Sequence, residues 1–177
     1  REMAIINDSE KKIAVTEVKP AKDQLSCWEV TLDDAGTYYL GGSEKKNYIF
    51  RIEVIPVKEA VTRTFDAADL TTFGENTKTD GAEEIVGTDK YFTIHYSAGT
   101  KVEAKEKEFT DGYKSVNRIN FAGAVKKTQN SISFTTTGKA KVKVYWGAAD
   151  ANREMAIIND SEKKIAVTEV KPAKDQL

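Results

Sequence analysis

Apolar and polar residues alternate along most of this chain in short runs, which is the pattern of half-buried β-strands. The run YFTIHY at residues 91–96 is one example. At residues 131–137, Ile132 and Phe134 share one face while serine and threonine occupy the other. Clusters of Gly, Asn and Asp separate such runs at intervals of about ten residues. Many short strands with regular turns predict an all-β fold, namely an antiparallel two-sheet β-sandwich of jelly-roll-like architecture.

Local signals add three expectations to this pattern. Residues 139–146 form another alternating run, and only a short turn separates them from 131–137, so we expect these two runs to pair as an antiparallel hairpin. Pro56 cannot donate to a central ladder, so its surroundings are predicted to be an edge or a connector. Asp66 is placed to cap a short turn over residues 66–70, the one helical segment that we predict.

Residues 1–25 recur without a single change as residues 153–177. Each copy contains two apolar runs joined by the turn-forming cluster NDSE, which predicts a β-hairpin. A perfect repeat indicates deliberate engineering or a window cut from a recent tandem array. We therefore expect residues 1–152 to form one complete sandwich, with residues 153–177 as a surplus or swapped hairpin. The alternative frame for the complete unit is 26–177.

The composition excludes several functional classes. Lys and Arg number 27 against 28 Asp and Glu, so no overall field attracts nucleic acid or an anionic membrane surface. No apolar run approaches the roughly 20 residues of a membrane helix. A single cysteine, Cys27, allows no intrachain disulfide. Its place in an alternating apolar run predicts a small buried hydrophobe rather than a nucleophile.

A row of basic side chains is the strongest candidate for a binding site. The period of two puts four side chains on one face, about 6.6–6.8 Å apart along the strand: Lys139, Lys141, Lys143 and Tyr145. Three like charges in a row repel, so the pattern requires acidic neighbours or an anionic ligand to offset them. Arg118 and Lys114, on another strand-like run, are expected to add a bidentate contact and a point charge. The alternative is that the lysines protect an edge strand from pairing with other chains.

Catalytic and metal-binding signals are sparse, so we expect a protein that is not an enzyme and has no cofactor. The only histidine, His95, lies in a strand-like run, and its neighbours Thr93 and Ser97 form no triad with it, which favours a structural role. One His and one Cys do not suffice for a zinc site. Oxygen ligands suit a structural calcium ion, and three loop carboxylates are the alternative to consider: Asp66, Asp69 and Asp80. A solvated acidic loop gives the same pattern.

Three stretches of the chain resemble the accessory β-sandwich modules attached to bacterial pectate lyases and pectin esterases. They are TFDAADL at 64–70, then INFAG at 119–123 with SISFTTTGKAKVKVY at 131–145, and finally AGTYYLG at 35–41 with NYIFRIEV at 47–54. In that family the last stretch closes the module and the first opens it. The order here is therefore a circular permutation of the family order, or that of a window across two adjacent identical modules. The resemblance implies an extracellular, non-catalytic carbohydrate-binding module for an acidic plant polysaccharide such as pectin, recognised by the lysines and an aromatic residue.

The repeat supports a second functional hypothesis. Identical copies bury identical side chains, so the two frames differ only by end effects and loop closure, about 1–2 kcal/mol. A copy that does not close within its own chain can fill the vacant position in a neighbour, which gives domain swapping, or a filament where the exchange does not close. Self-assembly of an engineered chain is therefore the competing function. A structural spacer from a tandem extracellular repeat protein is the third alternative.

Overall fold

The computed structural model describes residues 4–6, 12–14, 26–42, 47–58, 61–148 and 154–168. These residues contain fourteen strands: β1 (Ala4–Ile6), β2 (Lys12–Ala14), β3 (Ser26–Leu32), β4 (Gly36–Gly42), β5 (Asn47–Pro56), β6 (Arg63–Asp66), β7 (Glu83–Val86), β8 (Phe92–His95), β9 (Lys101–Glu108), β10 (Lys114–Phe121), β11 (Ser131–Thr136), β12 (Ala140–Ala148), β13 (Met155–Asn159) and β14 (Lys164–Val167). Two short 3₁₀ turns, η1 (Ala67–Asp69) and η2 (Thr88–Lys90), are the helical pieces among the described residues.

Two antiparallel sheets of six strands make up the body of the molecule. Sheet I has the order β3-β12-β5-β10-β9, and β6 pairs with the part of β5 that β10 leaves open. Sheet II has the order β14-β13-β4-β11-β8-β7. The predicted all-β, two-sheet sandwich is therefore confirmed.

One hydrophobic core joins the inner faces of the two sheets. Trp146 and Val144 of β12 reach it from sheet I, and Phe92, Ile132 and Phe134 reach it from sheet II. Burying a large apolar side chain contributes about 1.5–3 kcal/mol. The period-two alternation seen in the sequence is thus what holds the sheets face to face.

The prediction that residues 131–137 and 139–146 pair with each other as a hairpin is wrong. Strand β11 pairs with β4 and β8 in sheet II, whereas β12 pairs with β3 and β5 in sheet I. The short connection at residues 137–139 is a corner between the sheets. Both strands have an apolar face, and they lie on opposite sides of the core. This arrangement buries Phe134 of β11 and Val142 of β12 in the same core and gives each strand two pairing neighbours.

Two local predictions fared differently. The side chain of Asp66 accepts a hydrogen bond from the N–H of Ala68 at 2.9 Å, which confirms it as the N-cap of η1. Pro56 does not mark an edge, because it is the last residue of β5, a central strand of sheet I. The alternative prediction, a connector, agrees with the structure, because the chain leaves β5 there and begins β6 at Arg63. At that end its missing N–H interrupts no ladder.

The two copies of the repeated sequence occupy different places. In the second copy, β13 and β14 form the predicted hairpin, and β13 pairs with β4 from Met155↔Gly42 to Asn159↔Tyr38. In the first copy, β1 and β2 pair only with each other among the described strands. This arrangement corresponds to the alternative 26–177 frame. Which frame the chain populates in solution stays a prediction.

Pairing within the two hairpins also differs. In β13–β14, Ile157 pairs with Ala166 but Ile158 pairs with Lys164. The register therefore shifts between these two pairs and leaves Ile165 as an extra residue in β14. This β-bulge lets Ile165 pack against the core beside buried Ala166. In β1–β2, which has the same sequence, the register continues without a shift.

Candidate functional site

The lysine row lies on the outer face of sheet I. Lys141 and Lys143 belong to β12, Lys139 directly precedes it, and the intervening Val142 points into the core. Strand β12 is flanked by β3 on one side and β5 on the other, so it is not an edge. Edge protection therefore does not explain the lysines.

Acidic side chains on neighbouring elements offset the charges of the first two lysines. Lys139 Nζ lies 2.6 Å from Asp33 Oδ1, and Lys141 Nζ lies 3.7 Å from Glu29 Oε2. The lysine side chains remain 55% and 52% exposed. Exposed ion pairs of this kind contribute about 0–1 kcal/mol. They relieve the repulsion along the row while leaving both ammonium groups accessible to solvent.

Lys143 is held by a carboxylate that sequence reasoning did not consider. Its Nζ lies 2.6 Å from Asp111 Oδ2, and the hydroxyl of Tyr145 donates to the same oxygen at 2.6 Å. Asp111 belongs to the turn between β9 and β10, where Gly112 has a φ of 87°, a conformation that suits glycine. The turn thus reaches across the outer face of sheet I as far as β12.

This contact shifts the acid–base equilibria of its members. Burial alone would raise the pKa of Asp111, but hydrogen bonds from Lys143, Tyr145 and the Tyr113 N–H lower it. Burial alone would lower the pKa of Lys143, but its hydrogen bond with Asp111 raises it. Burial raises the pKa of Tyr145. At neutral pH, Lys143 and Asp111 are therefore a charged pair, and the Asp111 carboxylate already offsets the charge of Lys143.

An aromatic cluster covers the same end of the row. Its members pack beneath the β9–β10 turn: Cys27, Tyr48, Phe50, Phe109, Tyr113 and Tyr145. The ring centroid of Tyr145 lies 4.6 Å from that of Tyr113 and 5.1 Å from that of Phe109. Tyr145 is buried in this cluster and is not an exposed platform for a sugar ring.

A bulge in β5 supplies one of the aromatic rings. Tyr145 pairs with Arg51 and Trp146 pairs with Ile49, so Phe50 is the extra residue and faces the outer cluster. The only thiol, Cys27, lies under the same rings, and burial raises its pKa to about 12. The prediction that Cys27 is a buried hydrophobe is confirmed.

Arg118 and Lys114 lie apart from the lysine row and have partners of their own. Arg118 Nε donates to Glu103 Oε2 at 2.8 Å, and its guanidinium carbon lies 3.7 Å from the centroid of the Tyr48 ring. Lys114 is exposed at the start of β10, with Nζ 3.5 Å from Glu108 Oε2. The bidentate contact predicted for Arg118 would have to compete with the Glu103 pair. The ligand contacts of both residues stay predictions.

The three carboxylates considered for calcium have separate surroundings. Asp66 caps η1, accepts from the Tyr113 hydroxyl at 3.0 Å and pairs with Arg51 at 3.5 Å. Asp80 Oδ1 accepts from the N–H of Ala98 at 2.8 Å, while Asp69 lies at the end of η1. Across the part of the chain that the structure describes, no three His, Cys, Asp or Glu side chains are grouped to hold a metal ion.

The acidic partners of the row were missed because their pairing is long-range. Glu29 stands opposite Lys143 on β3 and Glu53 stands opposite it on β5, a register that strand patterns do not reveal. Asp111-Gly112 between two alternating runs is a recognisable hairpin signal. That signal predicts the β9–β10 turn, but not that the turn covers β12.

No protein-family model, curated protein or solved structure matches this chain. Within the described ranges, there is no helix with the length and hydropathy to span a membrane. The resemblance to accessory modules of pectin-degrading enzymes therefore stays a prediction from the sequence.

Proposed function

We propose that the chain is a carbohydrate-binding module whose lysine row binds an acidic polysaccharide without catalysing a reaction on it. The observation that carries this proposal is the exposure of Lys139 and Lys141 on the outer face of sheet I, at the start of a strand that has a neighbour on each side. Residues two apart on a strand lie about 6.6–6.8 Å apart. A chain of uronic acid residues presents carboxylates at regular intervals, which suits two ammonium groups held in line.

Binding requires the ligand carboxylates to compete with Asp33 and Glu29 for the two lysines. Because both internal pairs are exposed and weak, the exchange costs little free energy. Lys143 does not contribute, since Asp111 holds it. The expected interaction is weak for a short oligosaccharide, strengthens with chain length through multivalency, and weakens with added salt.

Affinity electrophoresis tests this proposal directly. We expect gels containing polygalacturonate to retard the wild type, and gels containing highly methyl-esterified pectin to leave it unretarded. The double variant Lys139→Ala/Lys141→Ala should lose the retardation. Lys90→Ala/Lys126→Ala is the matched control, because it removes two exposed charges outside sheet I. A wild type that polygalacturonate does not retard would end the proposal.

A variant that is expected to bind polygalacturonate more strongly gives a second test of the proposal. The double variant Glu29→Gln/Asp33→Asn removes the competing carboxylates while leaving the lysines in place. We expect stronger retardation by polygalacturonate than for the wild type. Weaker retardation would contradict the competition on which the proposal depends.

The repeated hairpin favours self-assembly as a second function. One observation supports it: the same 25-residue sequence provides β13–β14 beside β4 and also the separate pair β1–β2. Strands β1 and β2 contact β14 and β3 without pairing with them. A two-stranded sheet is marginally stable, so the first copy gains from docking beside β4 in another molecule. Exchange between molecules, however, only replaces contacts within one chain by identical contacts between two chains. The covalently linked copy also has a high effective concentration. Swapped oligomers are therefore expected only at high protein concentration.

Light scattering across a concentration series tests this second function. Ile157 is wholly buried in the docked copy, so Ile5→Asp at the matching position should prevent the first copy from docking anywhere. We expect this variant to remain monomeric where the wild type associates. Ser9→Asp is the control, because the matching Ser161 is exposed. Oligomers that persist in Ile5→Asp are not built by this hairpin.

A further inference from the structure

Three polar side chains adjoin one another on the outer face of sheet II, away from the lysine row. His95 Nε2 lies 2.8 Å from Ser133 Oγ, and His95 Nδ1 lies 3.4 Å from Glu83 Oε1. The three residues come from adjacent strands: Glu83 from β7, His95 from β8 and Ser133 from β11. Sequence patterns do not reveal this group, because 38 residues separate His95 from Ser133.

The pairing of the strands explains the geometry. Glu83 stands directly opposite His95 in the β7–β8 ladder. Ser133 stands opposite Thr93, one step along the same face from His95. A diagonal neighbour on one face lies within reach of a long side chain, so the imidazole spans the two strands and meets the hydroxyl.

The order carboxylate, imidazole, hydroxyl is the arrangement that activates a serine nucleophile. Burial is the main influence on His95 and lowers its pKa, while Glu83 acts in the opposite direction. The imidazole is therefore neutral at neutral pH. Glu83 Oε1, 3.4 Å from Nδ1, makes no hydrogen bond to that nitrogen, but its charge favours a proton there. In the tautomer with that proton, the Nε2 lone pair accepts from the Ser133 hydroxyl and can take its proton.

The surroundings limit what can reach this group. Ser133 is 9% exposed and His95 is 7% exposed, so approach is from the outer face of sheet II. Tyr39 of β4 stands opposite Ser133, and its ring centroid lies 5.7 Å from that of His95. An acyl group that approaches Ser133 from this side would meet the Tyr39 ring as an apolar contact.

We propose that Ser133 is an activated nucleophile that accepts short acyl groups from carboxylic esters. Ser133 Oγ transfers its proton to His95 Nε2 as it forms a bond to the acyl carbon. The ester C–O bond then breaks, and the alcohol leaves with the proton from His95. Water, deprotonated by the same nitrogen, releases the acid and restores the serine, so the cycle consumes one ester and one water.

Acetylation with p-nitrophenyl acetate tests the proposal on the full chain. We expect a burst of nitrophenol that approaches one equivalent per chain, with a single acetyl adduct on the peptide that contains Ser133. Ser133→Ala should remove both the burst and that adduct. Ser131→Ala is the matched control, since Ser131 lies on the same strand but its hydroxyl donates to the carbonyl of Lys126 at 2.7 Å.

A second variant separates activation from accessibility. His95→Gln should slow acetylation of Ser133 by about 100-fold or more, the range of general-base catalysis. Because His95 is the only histidine, the acetylation rate of the wild type should rise with pH through one inflection, below pH 6.5. Thermal unfolding of each variant verifies that the fold persists.

Three outcomes would overturn the inference. They are a wild type without an adduct on Ser133, a burst that Ser133→Ala leaves intact, and acetylation of Ser133 that is independent of His95. Acetylation confined to exposed lysines belongs to the first of these.

Discussion

Residues 1–25 and 153–177 are chemically the same peptide, yet the structure gives them different neighbours. Strand β13 of the second copy lies between the main core and the loop before β11, and it has β4 on one side and β14 on the other. The first copy has strands β1 and β2, which pair only with each other among the described strands. Local propensity is identical in the two, so the difference comes from tertiary contacts alone.

The docked copy gains its stability from both of its faces. Met155 and Ile157 are wholly buried in the main core, while Ala156 and Ile158 pack against Tyr39 and Val125 on the other side. Each large apolar side chain buried this way contributes about 1.5–3 kcal/mol. The β-bulge at Ile165 belongs to this setting, because it turns one more apolar residue toward the core.

Charged contacts at the hairpin turn add specificity to the docked copy. Asp160 Oδ1 lies 3.0 Å from Lys127 Nζ and accepts from the Tyr39 hydroxyl at 3.2 Å. The Glu162 carboxylate accepts from the backbone N–H of Lys127 at 3.1 Å. The loop before β11 therefore recognises the turn as well as the strands.

The largest expected effect comes from a cavity placed in both copies. Ile157→Ala removes buried methyl groups, a change that usually costs about 2–5 kcal/mol. If the first copy can replace the damaged one, the loss is limited to the difference between the frames, about 1–2 kcal/mol. We therefore expect Ile5→Ala to be silent, Ile157→Ala to be mild, and the double variant to show the full loss in urea unfolding.

Strong coupling between two positions in separate copies is the signature of exchange. Residues without shared contacts normally give additive changes in unfolding free energy. If Ile157→Ala alone costs as much as the double variant, the first copy cannot enter the position beside β4.

Deleting a whole copy should have a smaller effect. Removal of residues 1–25 leaves the docked hairpin intact, so we expect no loss of stability. Removal of residues 153–177 forces the chain into the 1–152 frame, with an expected loss of about 1–2 kcal/mol. Equilibrium urea unfolding measures both. Failure of the 1–152 chain to fold would show that the two frames are not equivalent.

The smallest expected effect is electrostatic and depends on pH. The hydrogen bond with Lys127, aided by Tyr39, lowers the pKa of Asp160 in the folded chain. A carboxyl with a lowered folded pKa stabilises the fold above its unfolded pKa, and the contribution is lost as the pH falls through the folded value. Asp160→Asn should therefore be less stable than the wild type at pH 7 and equal to it in acid.

The repeat supplies an internal control for this prediction. Asp8→Asn changes the same residue within the same sequence, and we expect its urea midpoint to match that of the wild type at every pH. Equal effects of the two substitutions at pH 7 would indicate that both copies occupy the position beside β4.

Features that depend on neighbouring residues were the ones that the sequence predicted well. Alternation predicted the strands and the all-β sandwich, and Asp66 ahead of a short turn predicted its cap. The hairpin of β13 and β14 followed from a turn-forming cluster between two apolar runs.

Features that depend on distant pairing were not accessible from the sequence. The lysines share one face as expected, but their partners Asp33, Glu29 and Asp111 come from other strands and turns. A short turn after β11 gave no sign that the chain crosses between sheets there. The group around His95 escaped notice for the same reason, because strand order decides which side chains meet.

The burial of Cys27 makes this chain convenient for spectroscopy. It is the only cysteine, and a thiol with a pKa of about 12 reacts slowly with maleimides at neutral pH. A cysteine introduced at Ser9 or Ser161 would therefore take a fluorophore or spin label at one chosen site without removal of Cys27. The same dye could then be attached to either copy of one sequence, in turn, and report its environment in otherwise identical molecules.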